Sequence, residues 1–269
     1  MSHFKAPPKK QLGQHFLSDR NVIAQILLAI DPRPGERVVE IGPGQGAITL
    51  PLLKQHHSLT VIEFDRDLIT PLSEAAHGLG DLTIVHKDVL QVDFGKLAGE
   101  GRVRVVGNLP YNISTPILFH VLEHAEGIVD MHFMLQKEVV DRMAAAPGSK
   151  VYGRLSVMLQ ALCEVEPLFD VPPAAFRPPP KVDSSVVRLR PKPLAAVGID
   201  DPALFERVVR EAFGQRRKTL RNALQLVCDA AAISAAGLRP ELRAEQVAVT
   251  GFINLSNHLS AAAQGDDIR

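Results

Sequence analysis

The sequence predicts an α/β fold, a doubly wound parallel sheet over the first two thirds of the chain, followed by a small all-α domain. Two patterns carry this expectation. Apolar strand-like runs alternate with helical patterns up to about residue 145, and from about residue 200 the pattern is helical throughout. At 269 residues and 46% hydrophobic, the chain can bury one large core and a smaller one.

The elements follow in order. Residues 19–30, "DRNVIAQILLAI", open on Asp19 as an N-cap and repeat apolar positions at helical spacing. Strand-like runs lie at 37–42 ("RVVEIG"), 59–65 ("LTVIEFD"), 82–88 ("LTIVHKD"), 102–108 ("RVRVVGN") and 130–136 ("DMHFMLQ"). Helical patterns at 46–55, 66–77, 114–124 and 137–145 separate or follow them. Residues 152–171 read as a helix running into a strand, and "VVRLR" (186–190) as another strand, so a late strand pair is expected to close one sheet edge. "PKPLAAVGID" (191–200) serves as a linker, which puts the domains at 1–190 and 191–269.

Composition excludes some function classes. The 30 basic and 30 acidic residues cancel, so a polyanion must be met by local clusters. One cluster holds Lys5, Lys9, Lys10 and Arg20; the other holds Arg207, Arg210, Arg216, Arg217, Lys218 and Arg221. Cys163 and Cys228 have no metal-ligand or redox spacing, so reduced core thiols and no metal site are expected. With no secretory h-region and no apolar run of about 18 residues, a soluble cytoplasmic protein is expected.

Chemistry-bearing residues gather at strand ends. The first strand ends in "EIGPGQGAITL", where Gly42, Gly44 and Gly46 let a ligand approach the backbone. The spacing is G-x-G-x-G, not that of a dinucleotide fingerprint, and Pro43 lacks the N–H that a pyrophosphate cradle uses. Glu63 ends the second strand, where a carboxylate can accept from ribose hydroxyls, and Asp88 ends the third. Each acid alone reads equally as a capping or surface residue; together with Asn108 at the next strand end they face one crevice. "VVGNLPYNIS" (105–114) finishes a strand in a rigid turn. In it, Asn108 offers a side-chain oxygen, Leu109 a carbonyl aimed by Pro110, and Tyr111 a flat face.

These motifs, with "LGQHFL", "MLQKEV", "YGRLSVM", "FRPPPKVDSSV" and "RRKTLRNAL", occur in the order seen in one family. The chain resembles the ribosomal-RNA adenine N6-dimethyltransferases, which are S-adenosylmethionine-dependent methyltransferases. The resemblance implies a Rossmann-like methyltransferase sheet over 1–190 and a helical RNA- and ribosome-contacting domain over 191–269. It implies S-adenosylmethionine as cofactor, held by His15 (Asn in many relatives), Leu17, Gly42, Gly44, Glu63, Phe64, Asp88 and Val89, with Asn108 beside it. It implies that Asn108, Leu109, Pro110 and Tyr111 position the target adenine, with Phe176 on its other face. Arg216, Arg217, Lys218 and Arg221 would contact RNA phosphates. The expected activity is dimethylation of two adjacent adenines in the 3′-terminal hairpin of 16S rRNA in the small subunit, by a monomer that meets no membrane. Three other readings remain: a large-subunit adenine methyltransferase of the resistance type, a non-catalytic assembly factor on the same fold, and a nicotinamide dehydrogenase.

Overall fold

The computed structural model describes residues 7–9, 13–215 and 217–266. Lys5, Lys10 and Arg216 of the basic clusters lie outside the described residues. The chain forms two compact units. One comprises the residues up to Val140 with Glu166–Pro191, and the other comprises Asp141–Val165 with the chain from Lys192.

The first unit begins with a two-residue strand, β1 (Phe16–Leu17), and α1 (Arg20–Ile30). Asp19 caps α1 as expected, accepting from the amides of Asn21 and Val22 at 2.8 and 3.1 Å. Strands and helices then alternate: β2 (Arg37–Ile41), α2 (Thr49–His56), β3 (Ser58–Glu63), α3 (Arg66–Ala76), β4 (Asp81–His86), α4 (Phe94–Ala98), β5 (Val103–Asn108), α5 (Ser114–Leu122) and β6 (Ile128–Gln136). After α6 (Lys137–Met143) and α7 (Arg154–Leu162) come β7 (Cys163–Val171), β8 (Phe176–Arg177) and β9 (Ser184–Pro191).

Seven strands form one sheet in the order β4-β3-β2-β5-β6-β9-β7. The pairs from β4 to β6 are parallel, whereas β9 runs antiparallel to β6. This is the Rossmann-like sheet expected, closed at one edge by the late strand pair. Pro167 lies on β7, the edge strand of the sheet, where proline within a sheet is ordinarily found. The order reverses between β2 and β5. The crevice outside their carboxyl ends is therefore the topological switch point, where open α/β sheets bind ligands.

Two local features shape that crevice. α2 starts at Thr49 and not at Gly46, because Gly42, Gly44 and Gly46 all have positive φ (68°, 55° and 78°), which a helix cannot incorporate. Gly107 marks a close backbone approach: a Cβ there would stand 2.5 Å from the Ile41 carbonyl oxygen, so only glycine lets β5 run this close to the end of β2. The valines and isoleucines of β2, β3 and β5 are buried, which makes the strand ends a rigid platform.

The second unit is mainly helical. A short α8 (Leu194–Val197) lies in the linker, followed by α9 (Pro202–Gly214), α10 (Leu220–Ala223), α11 (Ala230–Ala235) and α12 (Val249–Asp266). Phe205, Val208, Phe252 and Leu255 form its core with Val157 and Tyr152, whose hydroxyl donates to the Val247 carbonyl at 2.9 Å. Burial pushes the Tyr152 phenol up to about 12.

Candidate active site

A cavity of about 320 Å³ opens at the switch point. It gathers His15, Gly42, Gly44, Glu63, Phe64, Asp88, Val89, Asn108, Leu109, Pro110 and Tyr111, residues drawn from the N-terminal segment and from four successive strand ends.

On the β2 side the three glycine amides are committed within the protein. The Gly42 amide donates to the Ile62 carbonyl (2.9 Å), Gly46 to Pro43 (2.9 Å) and Gly44 to Oε2 of Glu63 (3.3 Å). Pro43 has no amide hydrogen. A pyrophosphate would find these donors spent, with the Glu63 carboxyl beside them. Glu40 is 2% exposed and accepts from the Thr49 hydroxyl at 2.6 Å; burial, partly offset by that bond and reinforced by Glu63, raises its carboxyl to about 8.

Glu63 is 6% exposed, and its Oε1 also accepts from the Asp65 amide at 2.7 Å. Burial raises its pKa, against the lowering effect of those amides. The carboxylate is held in one orientation with lone pairs to spare. Beside it, Phe64 is 60% exposed at the cavity wall, a large ring left uncovered by the fold. Asp88 spends Oδ1 on the Leu90 amide (3.0 Å), and Val89 is buried next to it.

On the β5 side the accounting is opposite. The Asn108 side-chain nitrogen Nδ2 donates to the His15 carbonyl at 3.0 Å, an acceptor that settles which end of the amide is nitrogen. Oδ1 then remains as an acceptor. Leu109 is 1% exposed and its amide donates to the Met134 carbonyl at 3.2 Å, while its own carbonyl has no partner among the described residues. Pro110 closes the turn by accepting from Ile113 at 3.2 Å. Tyr111 bonds through its hydroxyl to Oγ of Ser184 at 2.6 Å; burial raises its pKa and this bond opposes the rise. Its ring lies 6.0 Å from the His15 ring at an interplanar angle of 23°. Nδ1 of His15 faces the Pro178 carbonyl at 2.9 Å, an acceptor to which it donates.

Two expected residues are placed elsewhere. Leu17 and Phe176 pair with each other across β1 and β8, are 7% and 1% exposed, and belong to the hydrophobic core. Neither lines the cavity. The pairing of β1 with β8 turns both side chains inward, so Phe176 offers no free face to a base in this conformation. His15 is the ring found opposite Tyr111.

Sequence reasoning missed Gln14 and Phe16, which line the cavity, and Asp65, which holds Gln14. Gln14 and Phe16 stand within "LGQHFL" and Asp65 ends "VIEFD", so the signal was adjacency to motif residues already singled out. In the second unit, Arg217 and Lys218 are exposed in the turn between α9 and α10, not on a helix, and Arg221 is exposed on α10. Among the described residues no group of three or more His, Cys, Asp or Glu could hold a metal ion, and no helix is long and apolar enough to cross a membrane.

Comparison with known proteins gives a consistent picture. A family model described as ribosomal RNA adenine dimethylase matches residues 6–261. The chain is 67% identical over 256 residues to the ribosomal RNA small subunit methyltransferase A of Xanthomonas campestris pv. campestris, covering 95% of this chain and 98% of that protein. The corresponding protein of Xanthomonas euvesicatoria pv. vesicatoria is 66% identical with the same coverage. Among solved structures, a dimethyladenosine transferase from Plasmodium falciparum aligns with a TM-score of 0.81 at 23% identity, covering 93% of this chain and 98% of that one, and supports the fold. The 23S rRNA methyltransferase ErmE aligns with a TM-score of 0.70 at 28% identity, covering 91% and 99%.

Proposed function

The chain belongs to the ribosomal RNA adenine dimethylase family, and from that premise we propose that it transfers methyl groups from S-adenosylmethionine to N6 of two adjacent adenines in the 3′-terminal hairpin of 16S rRNA. The observation that carries this reading is the pair of acceptors, Asn108 Oδ1 and the Leu109 carbonyl, left without partners among the described residues at the cavity.

The cavity fits the cofactor chemically. Glu63 would accept from the ribose hydroxyls, exposed Phe64 would pack on the adenine ring, and Asp88 with Val89 would meet the adenine edge. Gly42 and Gly44 would admit the methionine part, with His15 and Asn108 beside it. The spent amides of the glycine turn, with the Glu63 carboxyl beside them, suit a ligand carrying positive charge better than a pyrophosphate, which disfavours a nicotinamide cofactor. When bound, S-adenosylmethionine supplies a methyl group on a sulfonium.

The protein's part is positioning. An adenine amine is a weak nucleophile because its lone pair is delocalised into the ring. With its two N–H groups donated to Asn108 Oδ1 and the Leu109 carbonyl, the nitrogen is oriented for in-line attack, and the acceptors stabilise the positive charge that develops on it. Tyr111 would hold the unpaired base by stacking, as single-stranded bases are commonly held. Arg217, Lys218 and Arg221, with Arg216, would contact phosphates without reading sequence. This assigns methyl transfer to residues 1–190 and RNA contact to 191–269, in a cytoplasmic monomer.

Small-subunit RNA is favoured as substrate because identity to the small-subunit methyltransferases is 67%, against 28% to the large-subunit enzyme. A non-catalytic role is disfavoured by the complete acceptor turn. The test is transfer of labelled methyl groups to undermethylated small subunits, followed by adenine analysis. We expect N6,N6-dimethyladenine at two adjacent positions of 16S RNA; label in 23S RNA alone would overturn the assignment.

A further inference from the structure

We propose that Asp65 is a positioning residue for methyl transfer: through Lys9 and Gln14 it holds the N-terminal segment so that the His15 carbonyl fixes the Asn108 amide. This rests on the role given to Asn108 above.

Asp65 is 5% exposed and sits between β3 and α3. Its Oδ1 takes Nζ of Lys9 at 2.5 Å and the amide of Asp67 at 3.2 Å, and its Oδ2 takes Nε2 of Gln14 at 2.9 Å. The other end of the Gln14 side chain, Oε1, accepts from the Lys9 amide at 2.8 Å. Both ends of that side chain are thus committed, one to the turn and one to its own segment. The carbonyl of the next residue, His15, takes Nδ2 of Asn108 at 3.0 Å. A continuous route runs from Asp65 through Gln14 and His15 to Asn108.

Capping α3 does not by itself call for a buried charge, since an uncharged Asn, Ser or Thr caps a helix as well. A carboxylate so deeply covered is costly unless paired, and the Lys9 ammonium is what pairs it. Lys9 also reaches Oδ2 of Asp67 at 2.7 Å, so the segment is fastened to the α3 end at two carboxylates. After His15 the chain is held by the β1–β8 pairing and by the His15 ring on the Pro178 carbonyl; before it, the fastening to Asp65 is what fixes the segment and so the angle at which the His15 carbonyl meets Asn108. Without that fastening, the Asn108 amide could rotate and present a donor where the adenine amine needs an acceptor.

The backbone amide of Asp65, not its side chain, binds Glu63. An Asp65→Asn substitution therefore leaves the ribose carboxylate in place, keeps the helix cap and preserves volume while deleting the charge. In single-turnover methylation of undermethylated small subunits, we expect Asp65→Asn to lower the maximal rate about tenfold, with the half-saturating subunit concentration changed by less than about twofold. Lys9→Met, at a partly exposed position, should act in the same direction. In an Asn108→Ala background, Asp65→Asn should add nothing to the loss. A readout independent of turnover is the ¹⁵N resonance of the Asn108 side-chain amide in the full chain without cofactor: it should shift or broaden in Asp65→Asn. Losses that multiply, or an unmoved rate beside an impaired Asn108→Ala, would overturn the role of Asp65 alone. Full activity of Asn108→Ala would overturn the catalytic reading and, with it, this one.

Discussion

The turns after β2 and β5 leave neighbouring parallel strands at the same sheet edge, yet their hydrogen bonding is opposite. After β2, the amides of Gly42, Gly44 and Gly46 donate inside the protein, and buried Glu40 and Glu63 flank the turn. After β5, the Asn108 and Leu109 amides are spent on His15 and Met134 while the acceptors remain available. A turn with its donors used up can only let a ligand pass close to the backbone. A turn with two free acceptors can pull on N–H groups and favour a nitrogen that is becoming positive. The first therefore governs how the cofactor is admitted, and the second governs the chemical step. Substitutions at the two turns should separate along the same line.

The largest effect belongs to the β5 turn. Asn108→Ala removes one acceptor that matters most in the transition state, and losses of about 10²–10³ in rate are typical when such a group is deleted. We expect a fall of that order in methyl transfer, measured on saturating small subunits, with subunit affinity changed less than about threefold. Equal losses in both would make Asn108 a binding residue and erase the contrast between the turns. The next largest tests their junction. Gly107→Ala would place Cβ 2.5 Å from the Ile41 carbonyl oxygen, against backbone on a buried strand. We expect about 2–4 kcal/mol of destabilisation by urea unfolding. A change below about 0.5 kcal/mol would mean that β2 and β5 can separate without cost.

Which of these features were legible before the structure follows from distance along the chain. Local signals carried well: Asp19 capped its helix, and the strand ends carrying Glu63, Asp88 and Asn108 met in one cavity, because alternation fixes which end of a parallel sheet faces the crevice. What the sequence left open depended on remote pairing. Leu17 and Phe176 looked like site residues beside motif neighbours, but β1 pairs with β8, and nothing in either short segment announces the other. The same holds for Asp65, whose partners Lys9 and Gln14 come from the N-terminal segment. The late start of α2 is of a different kind: helical spacing runs through 46–55, but the positive φ of Gly46 keeps that residue out of the helix.

The β2 turn makes its own prediction in pH. The Glu40 carboxyl, raised to about 8 in the folded chain from an ordinary value near 4.5, binds its proton more tightly when folded. Its contribution to stability is therefore complete below about pH 4.5 and is lost as pH rises through about 8. Glu40→Gln keeps an acceptor for the Thr49 hydroxyl and has no proton to lose. It should be close to neutral at pH 5 and stabilising by about 1–3 kcal/mol at pH 9, read from urea midpoints across that range. Parallel curves for the two proteins would show that Glu40 ionises freely in the fold and that the turn is less closed than its geometry indicates.

The smallest expected effect divides Tyr111 between its ring and its hydroxyl. The hydroxyl bonds Ser184 Oγ at 2.6 Å, and Ser184 is fully buried, so Tyr111→Phe leaves the Ser184 hydroxyl without that partner. The aromatic face remains. If the ring serves the base by stacking and the hydroxyl serves the fold, Tyr111→Phe should cost about 1–2 kcal/mol of stability and slow methyl transfer by less than about fivefold. Ser184→Ala removes the other partner, and combining the two should restore part of the stability, since no buried hydroxyl is then left unpaired. Thermal or urea unfolding of the four proteins gives the coupling, and single-turnover methylation on the same samples gives the chemistry. A rate loss in Tyr111→Phe as large as that of Asn108→Ala, with stability unchanged, would move the phenol into the reacting centre. The β5 turn would then act through a donor as well as its acceptors, and the opposition between the two turns would fail on the β5 side.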